Sequence, residues 1–273
     1  MNDRVVDPAA ADATPAELAI RDWLFAGLSF ATGMYEAICF LTFGKVFTAA
    51  QTGNLVLLGI GVEGTREPAG PNPVTVVISL AAFAAGAMLA VPILKAFGDD
   101  QETADNKVFH AWPRGVSIVL VIVLILQAGF LAVWITAASP ASLAYILMAL
   151  SALALGLQAN AIRTLNVPGV STTAFTATFI GLFNGLAAWS LTAHAAWRLA
   201  ATMVGMAAGA LLGDWMLGQA HPYAPVVPAA VTAAVIVIAC LVLKPRATSG
   251  PAGEQGLPVQ QALKKAPSAR RTT

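Results

Sequence analysis

Charged residues are scarce in this chain of 273 residues: they make up only 11% of it, against about 25% in an ordinary soluble domain. None occurs between residues 115 and 162, a stretch long enough for two bilayer crossings of about 20 residues each. The formal net charge of +1 provides no basic field that would attract nucleic acid. This shortage of charge excludes a soluble globule, a disordered chain and a nucleic-acid-binding protein.

Cysteine and histidine are also rare, which bears on redox and metal chemistry. Cys39 and Cys240 both lie in apolar runs, so we interpret them as buried small side chains and not as a disulfide. His110, His194 and His221 are far apart and lack the spacing of a metal site. No phosphate-binding glycine loop and no nucleophile elbow is present. The sequence therefore predicts neither an enzyme nor a metal or other cofactor.

Long apolar runs dominate what remains. Each is close to the length that a helix needs to cross a bilayer, and helices are the only open structures that can span lipid with every backbone group paired. None alternates between apolar and polar residues, as the strand of a membrane barrel would. We therefore predict an all-α membrane protein with six transmembrane helices. The runs are 23–43, 74–97, 115–137, 141–162, 197–217 and 225–243.

Two shorter apolar stretches, 46–62 and 171–189, carry Thr, Gly, Gln and Asn near their starts and decide the number of crossings. If both stretches crossed the membrane fully, the chain would span it eight times, and Arg163 and the basic residues of loop 98–114 would face outside. If neither crosses, loop 98–114 and Arg163 lie in the cytoplasm, where loop lysines and arginines concentrate. The charges favour six crossings with both termini cytoplasmic, and two interrupted or re-entrant helical segments; eight spans are the alternative.

The chain also resembles itself at an offset of about 123 residues. Residues 84–89 align with 207–212, and residues 46–54 align with 170–178. With three crossings in each half, the second half must enter the membrane upside down, which is the inverted repeat typical of secondary transporters.

The domain organisation follows from this repeat and from the composition of the two ends. We predict a disordered cytoplasmic tail at 1–21, a first membrane repeat at 22–138, a second at 139–243 and a basic disordered cytoplasmic tail at 244–273.

Polar residues concentrate in the two repeat-related blocks, and substrate sites of such transporters lie on interrupted helices at the repeat interface. We predict that these residues line one polar cavity, with Gly53 as the break in the first segment because glycine tolerates unusual backbone angles. In the alternative interpretation, each block satisfies its polar groups locally. The candidate substrate-binding residues are Glu36, Gln51, Thr52, Gly53, Asn54, Asn160, Thr172, Thr173 and Thr176.

Glu36 is the one acid well inside an apolar run. A carboxyl group at membrane depth is costly and is by default a functional candidate. It could exchange a proton or hold a substrate; alternatively, it is a neutral acid bonded to a neighbouring helix. By contrast, Gly205, Gly209 and Gly213 recur every four residues, and Gly86 lies in a matching small-residue pattern, so they predict close helix packing and not a ligand site.

Two sequence blocks carry a family resemblance. The first runs from Gly33 to Gly61 and includes Glu36 and the run Thr52-Gly53-Asn54; the second is Gly156-Leu157-Gln158-Ala159-Asn160, followed by Arg163, Val170 and Thr172-Thr173. Together they resemble the YoaK family of bacterial inner-membrane proteins, over roughly residues 22–243. The short segment 171–189 departs from the family at Ala177, where a second Thr-Gly step is expected.

The resemblance implies a multi-pass inner-membrane protein that transports a small molecule, without identifying the substrate. A proton coupled through Glu36 is then the expected driving ion. The expected partners are the lipid bilayer and an unidentified small-molecule substrate, with no nucleic acid; the oligomeric state is left open. The alternatives are a non-transporting membrane scaffold or channel and, less favoured, an intramembrane enzyme.

Overall fold

The computed structural model describes residues 13–63, 70–97, 111–136, 143–167, 170–173, 175–187 and 192–243. Most of the predicted N-terminal tail, most of loop 98–114 and the whole C-terminal tail at 244–273 lie outside these residues.

Within the described residues the secondary structure is helical, and no strand occurs there. Six helices are long and apolar enough to cross a membrane, namely α1, α3, α4, α5, α7 and α8, the last with a short 3₁₀ turn before it. This confirms the predicted all-α membrane class. The helices are α1 (Pro15–Thr42), α2 (Gln51–Glu63), α3 (Pro73–Phe97), α4 (Arg114–Thr136), α5 (Ala144–Arg163), α6 (Phe175–Ala187), α7 (Ala193–Gln219) and α8 (Val226–Val242).

The first helix starts earlier than its apolar run suggests. Thr14 is its N-cap: the backbone N–H of Glu17 donates to the Thr14 hydroxyl (3.3 Å), and the backbone N–H of Thr14 donates to the Glu17 carboxylate (2.7 Å). Pro15 supplies the first helical residue, where a missing N–H costs nothing. The prediction that residues up to 21 form a disordered tail is therefore wrong from residue 15 onward.

The two uncertain stretches form the short helices α2 and α6, of 13 residues each. At 1.5 Å per residue each is about 20 Å long, which is less than the roughly 30 Å of a hydrocarbon core. The prediction that Gly53 breaks the first segment is wrong, because α2 runs through it. The chain instead turns at Gly44 and Lys45, which both have positive φ angles (84° and 59°).

The centre of the bundle is formed by α1 and α5. Their most apolar windows are 72% and 61% buried, whereas those of the other four long helices are 22–33% buried. Helix α1 packs along α7, and α5 packs along α3. The outer helices therefore present apolar surface that suits lipid, while α1 and α5 form the enclosed centre of the bundle.

Glycines allow α1 to pack closely on α7, and α3 on α5. This confirms the close helix packing predicted for these glycines. A Cβ at Gly209 would meet the backbone carbonyl of Phe30 in α1, and a Cβ at Gly86 would meet that of Leu153 in α5. On the facing helices, Gly33 and Gly156 lie equally tightly against backbone. Gly156 and Gly209 follow Gly33 and Gly86 by 123 residues each, the offset found in the sequence. The repeat itself stays a prediction.

Candidate functional site

The carboxylate of Glu36 lies at the start of α2. Its Oε1 accepts from the backbone N–H groups of Ala49 (2.7 Å) and Ala50 (2.9 Å), and its Oε2 accepts from that of Thr48 (3.0 Å). The residue is only 5% exposed. Thr48, Ala49 and Ala50 immediately precede α2, so their N–H groups have no partner within the helix, and the positive end of the helix dipole lies close to them. A carboxylate is therefore a side chain well suited to this place.

Asn54, one turn into α2, binds the loop that leads to this helix. Its side-chain oxygen accepts from the backbone N–H of Phe47 (3.0 Å), and its amide donates to the carbonyl of the same residue (2.8 Å). That carbonyl also accepts from the hydroxyl of Ser79 in α3 (2.6 Å). The Gln51 amide donates to the carbonyl of Thr48 (2.9 Å). These side chains thus provide hydrogen-bond partners for the irregular backbone before α2, which lipid could not provide.

We call these residues, Glu36, Thr48, Gln51, Asn54 and Ser79, the α2 cap cluster. All of them except Gln51 are buried. In its ionised form Glu36 can accept all three bonds from the backbone N–H groups of Thr48, Ala49 and Ala50, because both oxygens of a carboxylate are acceptors. A proton on either oxygen would reduce the accepting capacity of that oxygen, because a protonated carboxyl group has an O–H donor. Protonation would therefore weaken the bonds that the carboxyl group accepts from the segment before α2.

The structure brings together only some residues of the first predicted block. Glu36, Gln51 and Asn54 meet in the α2 cap cluster, whereas Thr52 is exposed on the outside of α2. Gly53 is packed near the ring of Phe47. The description of a block that satisfies its own polar groups therefore fits these residues. Ser79 was missed, since it lies far along the chain, in α3.

The second predicted block lies elsewhere. The amide of Asn160 donates to the backbone carbonyl of Ala87 in α3 (2.6 Å). Thr172 and Thr173 are buried in the segment before α6, and Thr176 is exposed. Helix α6 packs on α7, whereas α2 packs on α3. The contacts described here do not bring the two blocks into one cavity, and a shared cavity stays a prediction.

A charged cluster at the start of α1 and α7 was missed by the sequence analysis. Asp22, 5% exposed, lies 3.5 Å from an Arg21 guanidinium nitrogen and 3.5 Å from Nε2 of His194. Arg198, 6% exposed, is close enough to interact electrostatically with Asp22. We call these four residues the ion cluster. The sequence does contain an indication of this cluster, because charges of opposite sign lie near the starts of two apolar runs.

A cleft opens at the other end of α1. It has a volume of about 280 Å³ and is lined by the end of α1 and the starts of α3 and α5. The Asn72 amide donates to the Tyr145 hydroxyl across it (3.4 Å). Asp22 and Thr42 are 20 residues apart in one helix, a rise of about 30 Å. The cleft and the ion cluster therefore lie near opposite ends of the bundle.

Comparison with known proteins places this sequence in a family. A family model described as "Protein of unknown function (DUF1275)" matches residues 24–238. The chain is also similar to the UPF0700 transmembrane protein YoaK of Bacillus subtilis (strain 168). The two are 28% identical over 169 residues, which cover 62% of this chain and 68% of that protein. No solved structure matches the chain.

Proposed function

Because the chain belongs to the YoaK family of transmembrane proteins, we propose that it is a secondary transporter of a small molecule in the bacterial inner membrane. We further propose that transport is coupled to a proton that Glu36 takes up and releases. The observation that carries this proposal is the buried Glu36 carboxylate, which holds the start of a helix too short to span the bilayer.

Interrupted helices with polar ends at membrane depth are characteristic of secondary transporters. In this chain the start of α2 depends on three hydrogen bonds to one ionisable group. Proton uptake there would release part of α2 from α1, whereas proton loss would reform the bonds. A group with different partners in two states biases the equilibrium between them, which is the requirement for coupling an ion to a conformational change.

The two ends of α1 support the same proposal. A transporter exposes its site alternately to the two sides, so one side is open while the other is closed. The cleft beside Asn72 and Tyr145 is open to small molecules, whereas the ion cluster ties α1 to α7 at the opposite end. We propose that this arrangement is the state open toward the cleft.

Transport is testable while the substrate is still unidentified. We expect vesicles containing the purified protein and an internal pH-sensitive dye to show a pH change when one member of a panel of small metabolites is added outside. We expect this signal to disappear in Glu36→Gln, because an amide cannot carry the proton. Asp214→Asn is the matched control, since Asp214 is an exposed acid in α7 and should keep the signal.

Two results would contradict the proposal. If Glu36→Gln elutes from size-exclusion chromatography as the wild type does and yet moves protons with the metabolite, Glu36 is not the coupling group. If no member of a broad panel moves with protons through the wild type, a scaffold is the better interpretation.

The orientation is also a proposal, with both termini in the cytoplasm because loop cations then concentrate inside. We expect a Lys45→Cys variant, free of Cys39 and Cys240, to react with a membrane-impermeant thiol reagent added to intact cells. Arg163→Cys in the same background should react only after the membrane is opened. Both positions are exposed in the fold. Reaction of residue 163 in intact cells would favour eight spans.

A further inference from the structure

The most unusual buried group outside the α2 cap cluster is the amide of Gln127 in α4. It is 2% exposed, and neither its nitrogen nor its oxygen has a hydrogen-bond partner. It lies in the long stretch without charge, among residues such as Leu126 and Phe130. Burying an unpaired amide is unfavourable, since each polar atom loses water and gains nothing in return. A packing role alone would be served better by leucine or methionine.

Two further polar side chains share the pocket with Gln127. Tyr35 of α1 is 1% exposed, and its hydroxyl has no partner. Ser151 of α5 is 3% exposed and lines the same pocket. Gln127 and Ser151 both lie within three residues of the middle of their helices, so the pocket is near the bilayer midplane. This is the depth at which secondary transporters bind their substrates.

The chemistry of the lining defines what would fit. It offers an amide donor, an amide acceptor and the Tyr35 hydroxyl, and no charged side chain is among its residues. The Ser151 hydroxyl already donates to the backbone carbonyl of Met148 (3.2 Å) and lies 3.5 Å from the Cys39 sulfur, so it contributes an accepting oxygen. The lining consists of Tyr35, Leu126, Gln127, Phe130, Leu150, Ser151, Ala154 and Leu155. An ion would have to leave water without an opposite charge to receive it, which is very costly. An uncharged molecule with one donor and one acceptor would give a partner to both the nitrogen and the oxygen of the amide.

We propose that the pocket between α1, α4 and α5 binds a small uncharged molecule that both donates and accepts hydrogen bonds, such as an amide or an alcohol, through Gln127, Tyr35 and Ser151. The gap between these side chains is narrow in the present conformation, so binding requires the three helices to part slightly. This inference rests on the proposed transport function, for which it names the substrate class.

Thermal unfolding of the purified full chain in detergent tests the pocket through tryptophan fluorescence. We expect Gln127→Met to raise the unfolding midpoint, because two buried polar atoms without partners are removed. Gln158→Met is the matched control: Gln158 is as deeply buried in α5 and its side-chain oxygen also has no partner, but its amide nitrogen donates to the Thr32 hydroxyl (3.0 Å). Loss of this bond should lower the midpoint, or raise it less than Gln127→Met does.

Ligand binding is measured in the same way with acetamide, isopropanol and acetate. Acetamide and acetate have nearly the same shape and differ in charge. We expect acetamide and isopropanol to raise the midpoint of the wild type and acetate to leave it unchanged. In Gln127→Met the acetamide concentration needed for half of the effect should rise by about tenfold, as expected for the loss of a good hydrogen bond.

Several outcomes would overturn this site. They are a lowered midpoint in Gln127→Met comparable to that of Gln158→Met, no stabilisation by acetamide or isopropanol, equal stabilisation by acetate, and an unchanged response to acetamide in Gln127→Met. The assay does not depend on flux. Stabilisation by acetamide without any proton-coupled movement would overturn the transport proposal and keep the site. Proton-coupled movement of a metabolite, without stabilisation of the protein by acetamide or isopropanol, would overturn the site and keep the transport proposal.

Discussion

Replacement of Glu36 by alanine is expected to lower the free energy of unfolding by about 3 kcal/mol or more, since each buried donor left unpaired costs about 1–3 kcal/mol. Three backbone N–H groups, those of Thr48, Ala49 and Ala50, lose their acceptor together. Lipid cannot replace that acceptor, and the site is too enclosed for ready access by water. Unfolding in mixed micelles of increasing SDS content measures the loss.

The loss of stability depends on how many backbone N–H groups keep an acceptor, and not on the charge of residue 36 alone. Glu36→Gln keeps one accepting oxygen and should lose less stability than Glu36→Ala. Asp214→Ala removes an exposed acid from α7 and should change stability by no more than about 0.5 kcal/mol, as surface substitutions usually do. If Glu36→Ala proved as stable as Asp214→Ala, the carboxylate would not be holding the start of α2.

The positions of the spanning helices could be predicted from the sequence because bilayer thickness sets their length. The apolar runs 74–97 and 115–137 became Pro73–Phe97 and Arg114–Thr136, each within one residue at both ends. The glycine crossings were predictable for a related reason, since small residues at a spacing of four lie on one helix face. Both signals are local, and the membrane leaves few alternatives to them.

Some errors had a local signal that was overlooked. Thr14, Pro15 and Glu17 have the spacing of a capping box, which marks a helix start that an apolar run does not reveal. Apart from Arg114 at the first position of the helix, Gln127 is the most polar side chain in α4. In both cases the information lies in a polar residue type and not in the length of an apolar run.

Other features of the site could not have been read from the sequence. Glu36 bonds backbone groups 12 to 14 residues away, and only the turn at Gly44 and Lys45 brings them within reach. Ser79 contributes from another helix through the packing of α2 on α3. The sequence showed which residues were costly to bury in a membrane. It did not show that the side chains of Glu36 and Asn54 bond the backbone of the segment before α2.

A second large loss of stability is expected from substitutions at the glycines where α1 crosses α7 and α3 crosses α5. Gly209→Ala should lower the free energy of unfolding by about 2 kcal/mol or more, because overpacking against a rigid neighbour is costly. The added Cβ would meet the backbone carbonyl of Phe30, which cannot rotate aside as a side chain could. The helices α1 and α7 must therefore separate along the crossing. Gly86→Ala should do the same to α3 and α5 through the carbonyl of Leu153.

Gly129→Ala provides the matched control for both substitutions. Nothing lies within 4 Å of a Cβ built at Gly129 in α4. The same change of residue type should be neutral there, or stabilising by up to about 1 kcal/mol, because alanine favours a helix over glycine. A loss at Gly129 equal to that at Gly209 would show that alanine acts through the helix backbone and not through the crossing.

Double variants extend the test from single residues to the crossings themselves. Gly33 and Gly209 lie in the same crossing of α1 and α7, so the separation forced by one alanine makes room for the other. We therefore expect Gly33→Ala with Gly209→Ala to cost less than the sum of the single losses, as for residues that share a contact. Gly86→Ala with Gly209→Ala affects two different crossings, and these losses should add to within about 0.5 kcal/mol. Strict additivity of the first pair would mean that the two glycines do not share one crossing in the membrane.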